Sequence, residues 1–457
     1  MSGMTNWHES TAVELGAGIG EGRIDPVELA EHFVARIEAN DADQTVYIAR
    51  LFERTRNDAK AAAKRAKEGA RAGPLDGVPV CWKDCFDLAG LSSTNGSKTL
   101  SHRIAAQDAA LISRGAAAGL VMLGKTNLSE FCYSGLGINP AFGTPVNACD
   151  DTVERVPGGS SSGTAVAVAS GLAACGVGTD TGGSVRIPAA WNGLVGLKTT
   201  FGLLPGDGLL NLSPKLDTAG PLVKSVADAG AMLAVMAARP GAELAGASLV
   251  GVRLGVPTAT LWDDLGPGIE TAARGALDQC ARAGARLVPI EMPEHADLRE
   301  MLSDVGTPLA SDAWGEWGEH VSAHHELVYE PVLRRLEVGK TLSTADAERV
   351  RTRAGELAES LCDKMARVDA VAYPTVCAAP PPIAELIAGG APYDEANGRA
   401  SHNTRFANFF GLCALTLPCG RDELGMPVGL QLSGLPFAED RLLRVAKAVE
   451  DCLAAQA

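Results

Sequence analysis

From Pro157 to Thr179 the chain carries no charged residue, and the run is made more of Gly, Ser and Ala than of Leu and Ile. It is long enough to cross a bilayer, yet a membrane helix needs a far more apolar surface than these residues give. The run therefore reads as a buried helix followed by a buried strand. Serine-glycine clusters lie at both of its ends: Ser160-Ser161-Ser162-Gly163, and Gly178-Thr179-Asp180-Thr181-Gly182-Gly183-Ser184. Serine hydroxyls beside exposed backbone N–H groups can attack a carbonyl and hold the oxyanion that results.

Around this segment, short apolar runs recur at Val78 to Trp82, Leu120 to Leu123, Val252 to Val256, Leu287 to Ile290, Ala370 to Tyr373 and Val428 to Leu432, with helical stretches between several of them. That alternation predicts an α/β fold with a central mixed β-sheet covered on both faces by helices. Helix starts are legible at Asp25-Pro26-Val27-Glu28 and at Ser225-Val226-Ala227-Asp228, each reading as a capping box. Residues from about 54 to 70, rich in Ala, Lys, Arg and Glu, read as a solvated peripheral helix. Glu300 to Arg367 reads as helical throughout. With no repeat and no low-complexity linker, one large domain over 1–457 is expected, with a catalytic core at about 70–225 and a helical pocket region at about 297–367. Pro240 to Leu249 is the best candidate hinge.

A formal charge of −15 disfavours a nucleic-acid or anionic-membrane surface, and a small neutral substrate fits it better. Met1 to Gly20 has no basic patch followed by an apolar run, so a cytoplasmic location is expected. Eleven scattered cysteines suit free thiols in a reducing compartment.

Amide hydrolysis needs a nucleophile, a base that can return its proton to the leaving amine, and donors for the oxyanion. Ser184 follows Thr181-Gly182-Gly183, where missing side chains let N–H groups converge on a carbonyl oxygen, and is read as the nucleophile. A helix beginning at Ser184 would add its positive end. None of the eight histidines lies near either cluster, so lysine is the alternative base. Lys83 ends the apolar run Val78 to Trp82, where desolvation disfavours the ammonium and leaves an amine able to accept a proton.

Gly158-Gly159-Ser160-Ser161-Ser162-Gly163 together with Gly178 to Ala190 resembles the signature of the amidase signature family. Lys83-Asp84, Gly124 to Phe131, Gly193 to Thr199, Leu216 to Pro221 and Gly425 to Gln431 are similar to its other blocks, so the likeness covers essentially the whole chain. The resemblance implies a Ser-cisSer-Lys triad: Ser184 acylated, Ser160 relaying protons from a cis peptide, Lys83 as base. It implies an oxyanion hole from Thr181, Gly182, Gly183 and Ser184. Supporting roles fall to Asp180 and Arg186, which orient the nucleophile loop or are purely structural, and to Ser161, which contacts substrate or serves the loop backbone. Ser162 and Thr164 stand where the family more often has Gly and Ser, and Thr199-Thr200 where Pro-Thr is commoner. Neither change removes a catalytic group.

The implied function is hydrolysis of a carboxylic amide or related C–N bond, with no metal or organic cofactor. The expected partner is a small amide, with a homodimer as the assembly and no direct nucleic-acid or membrane contact. The alternative within the same family is the amidase (A) subunit of a glutamine-dependent tRNA amidotransferase. Pocket residues are expected from the loop Cys132 to Asn139, Cys132 and Tyr133 first, from the region of Trp314 to His325, and from the segment after Pro374.

Three other patterns carry less. Gly119 to Thr126 matches the P-loop pattern, but its intervening residues are apolar and form a strand. Gly159 to Gly163 matches a nucleophile elbow centred on Ser161, with Asp369 and His402 as nominal partners, yet charged residues ending in Pro157 precede it. His320 and His324 are spaced for a metal on one helix face, with no further ligand motif nearby, and Trp314 and Trp317 can line a pocket or fill core.

Overall fold

The computed structural model describes residues 6–455, so Met1 to Thr5 of the segment read for a leader lie outside the described residues. Eleven strands form one sheet: β1 (Tyr47–Arg50), β2 (Pro79–Lys83), β3 (Val121–Thr126), β4 (Cys175–Asp180), β5 (Val195–Lys198), β6 (Thr218–Val223), β7 (Arg253–Pro257), β8 (Arg286–Ile290), β9 (Ala370–Pro374), β10 (Cys413–Arg421) and β11 (Pro427–Gly434). Their order is β1-β3-β2-β4-β6-β5-β10-β11-β9-β7-β8. β3, β2 and β4 run parallel at one side and β9, β7 and β8 at the other, with antiparallel pairs between. The sheet is mixed, as the alternation predicts.

Every residue of β2, β3, β4, β6 and β9 is buried, the pattern of strands covered on both faces. The uncharged run resolves into the helix Ser162–Ala169, packed on β2, β3, β4 and β6, and then β4 itself. No helix among the described residues is long and apolar enough to cross a membrane. Residues 121–126, which complete the P-loop pattern, are buried strand and cannot wrap phosphates.

Asp25 caps the helix Pro26–Asn40 by accepting from Val27 N–H, and Ser225 caps Val226–Ala237 by accepting from Asp228 N–H. The reciprocal capping box forms instead at Thr11 and Glu14. The helix Phe52–Lys67 buries Ala59 and Ala62 against its neighbours. Four helices, Pro293–Asp304, Pro308–Ala323, Glu330–Val338 and Thr344–Met365, fill the region expected to be helical.

The apolar runs predict β2, β3, β7, β8, β9 and β11 to within three residues, but β1 and β10 go unread, as do β5 and β6. Gly196, Gly220 and Pro221 sit inside them and read locally as turn residues. Gly220 is there for room: a Cβ would collide with the carbonyl oxygen of Leu197 on the neighbouring strand.

Candidate active site

The carboxyl ends of β2 and β4 lie side by side, the position at which open α/β sheets commonly bind ligands. Lys83 is the last residue of β2 and is fully buried. Its Nζ lies 2.7 Å from Ser160 Oγ and 2.7 Å from Thr179 Oγ1, a hydroxyl on β4. Among the described residues no carboxylate pairs with Lys83, whereas Lys125 on the adjacent strand is held by Asp84 at 2.5 Å.

Ser160 follows a cis peptide bond from Gly159 and is itself fully buried. Gly159 is wedged between backbone segments: a Cβ would stand 2.6 Å from Gly137 N and 2.8 Å from the Ser134 carbonyl oxygen. Gly159→Ala is therefore expected to cost about 1–3 kcal/mol as an overpacking change, read as a lower midpoint in urea denaturation with a matching loss of active protein.

The two serine clusters meet through Ser161. Its N–H donates to the Ser184 carbonyl at 3.2 Å, and its hydroxyl bridges Thr179 by accepting from N–H and donating to O, both at 3.3 Å. Ser161 thus serves the loop backbone, and Asp369 and His402 do not complete an elbow around it. Asp369 pairs with Arg253 and Arg441, and His402 packs against His295. Ser184 keeps 8% of its surface where Lys83 and Ser160 keep none. No hydrogen bond joins Ser184 Oγ to Ser160 Oγ among the described residues.

Asp180 and Arg186 hold the Ser184 loop from beneath. Both are fully buried and joined twice, at 2.9 and 3.0 Å. Asp180 also accepts from the N–H groups of Gly183 and Val185 and from Asn408 Nδ2. Burial alone would raise this carboxyl, but the Arg186 charge and the hydrogen bonds outweigh it and hold Asp180 well below the usual carboxylate range. Arg186 donates further to Thr404 O, Gln431 Oε1 and Asn408 Oδ1, tying the loop to residues far along the chain.

Two expectations change here. Gly183 N–H, one of the four expected oxyanion donors, is turned inward to Asp180 Oδ1 at 2.8 Å, leaving Thr181, Gly182 and Ser184 on the cavity side. The short helix Arg186–Trp191 starts after Ser184 rather than at it, so its end adds nothing to the oxyanion argument.

A cavity of about 80 Å³ opens on Ser184, Thr181 and Gly182. Cys132, Tyr133, Ser134 and Gly135 form one wall. The expected helical region contributes Thr307, Leu309 and Arg335 rather than its tryptophans, and Ile187, Leu212, Asn397, Ser401, Arg405 and Phe409 complete the lining. Trp317 Nε1 instead donates to Asn211 O at 2.7 Å, and Trp314 lies under the Lys340 ammonium. His320 bonds Thr99 and stacks on His324, and no cluster of three metal-ligating side chains occurs among the described residues. Sequence reasoning missed Thr179 as a partner of Lys83. Its signal lies in the pairing of β2 with β4, which brings the two strand ends together.

The family model described as Amidase matches residues 28–443. A relative named 2-amino-5-chloromuconic acid deaminase, from Comamonas testosteroni, is 38% identical over 87% of this chain and 86% of its own length. The A subunit of a glutamyl-tRNA(Gln) amidotransferase, from Anaeromyxobacter dehalogenans (strain 2CP-C), is 33% identical over 96% of this chain and 95% of its own. A crystal structure of an amidase superposes with a TM-score of 0.87 at 30% identity, covering 97% of this chain and all of that one. With its sheet, its paired serine loops and its sequence matching over nearly their whole length, the chain belongs to the Amidase family and is a hydrolase of C–N bonds.

Proposed function

We propose that the protein hydrolyses a carboxylic amide through an acyl-Ser184 intermediate, with Lys83 as base and Ser160 as the hydroxyl between them. One observation carries the reading: a buried lysine, free of any carboxylate partner among the described residues, hydrogen-bonds Ser160 at 2.7 Å, while Ser184 alone of the three faces the cavity. As Ser184 Oγ attacks the carbonyl carbon, its proton passes to Ser160, and the Ser160 proton passes to the Lys83 amine. The return transfer protonates the leaving nitrogen, and water repeats the sequence on the acyl-enzyme. The Ser184 to Ser160 contact forms in the substrate complex, since catalytic hydrogen bonds commonly tighten only there. The N–H groups of Thr181, Gly182 and Ser184 hold the oxyanion.

The relative named as a deaminase extends the proposal to C–N bonds related to the amide. A second reading, that the chain is the A subunit of a tRNA amidotransferase, is favoured by the relative of that name matching over 96% of the chain. Ammonia release by the purified chain decides between them. The proposal expects turnover of short amides by the chain alone; activity only on glutamine and only with added partner subunits supports the second reading. Thr179→Val, which removes a hydrogen bond to Lys83, is expected to lower kcat/KM roughly tenfold, the size of one such bond, measured by the same assay.

A further inference from the structure

Although the whole chain is strongly acidic, the only charged side chains among the described residues that line the Ser184 cavity are two arginines, Arg335 and Arg405. Arg335 projects from the helix Glu330–Val338, and its guanidinium lies 4.6 Å from the centre of the Tyr133 ring. Among the described residues it makes no hydrogen bond and no ion pair, and its Nε is buried without a partner. The acids nearby are already engaged: Arg334, one residue earlier, takes Asp394 and Glu330. Arg405 uses Nε and Nη2 on Ser401 and has no carboxylate partner among the described residues either. Burial and then the charge of Arg335 pull the Arg405 guanidinium down from its ordinary value. Two cations share one small cavity, and no described side chain neutralises them.

We propose that Arg335 and Arg405 bind a carboxylate on the acyl part of the substrate, so that the enzyme selects the monoamide of a dicarboxylic acid. This rests on the amidase reading above and gives its substrate class. Guanidinium groups match a carboxylate with paired, charge-assisted hydrogen bonds. No described Asp or Glu lines the cavity to receive an ammonium, so glutamine, which carries an ammonium beside its carboxylate, would set that cation against the two arginines. The net charge of the chain, which suggests a neutral substrate, does not describe this pocket.

The test is calorimetric binding to the Ser184→Ala protein, which does not depend on turnover, using succinamate, its neutral counterpart butyramide, and glutamine. Succinamate should bind roughly 10- to 100-fold tighter than butyramide, the range expected for hydrogen bonds to a charged group, and tighter than glutamine. Arg335→Met should bring the ratio close to one, and Arg335→Lys should restore part of it. Arg405→Met provides the same reading if Arg335→Met fails to fold, as judged by circular dichroism. A ratio near one in the parent, no succinamate binding, or a ratio unchanged in both Met variants overturns the inference. Selective binding of succinamate by wild-type protein that releases no ammonia would leave this inference standing and remove the hydrolase reading instead.

Discussion

Ser184→Ala is expected to lower kcat by roughly 10⁵- to 10⁶-fold, the scale seen when the nucleophile is removed from a serine hydrolase, while leaving the fold intact. The hydroxyl makes no hydrogen bond within the described chain, so its loss strands no buried partner. The loop is held by other groups: Ser161 N–H on the Ser184 carbonyl, and Asp180 beneath it. Ammonia release under saturating amide, with thermal unfolding of the same preparation, checks both halves. Lys83→Ala and Ser160→Ala should show comparable losses, because three groups that move one proton act as a unit. Ser161→Ala should not, since among the described residues Ser161 bonds only to backbone.

Arg186→Met should be the most destabilising single change, at about 3–5 kcal/mol, the cost of stranding one charge of a buried pair. Asp180 would keep its backbone donors but lose the guanidinium, and Thr404, Asn408 and Gln431 would each lose a bond. The double variant Asp180→Asn/Arg186→Met should recover part of that loss, because no lone charge remains. The pair also predicts a pH dependence. Asp180 is held below the ordinary carboxylate value of about 4. It therefore stabilises the fold fully above that value and loses the contribution as pH falls through its own, lower one. Urea midpoints measured from neutral to acid pH should fall steeply for the wild type and less for the double variant.

How much of this was legible depends on whether the information was local. Ser184 sits in a compact glycine-rich motif and Lys83 at the end of an apolar run, both readable locally, whereas the role of Ser160 comes only from the family resemblance, and Cys132 and Tyr133 follow another block of that resemblance, Gly124 to Phe131. Most of the Val- and Leu-rich strands are legible for the same reason, though β10 is not. β5 and β6 are not, because glycines placed for close approach of two backbones cannot be told from turn glycines without the neighbouring strand. Gly183 reads as an oxyanion donor until the carboxylate of Asp180 is seen beneath it. Arg334 and Arg335 are adjacent in one helix, yet one pairs with acids at the surface and the other faces the cavity. Only the packing of that helix separates them.

The central claim, that Lys83 acts through Ser160 on Ser184, is tested most directly by mapping the residue modified by a fluorophosphonate probe, using peptide mass spectrometry on wild type and Lys83→Ala. The account predicts a single adduct on Ser184, formed rapidly in the wild type and at least about 100-fold more slowly without the lysine, the usual contribution of a positioned base. An adduct on Ser160, Ser161 or any other serine, or equal labelling rates in the two proteins, would contradict it.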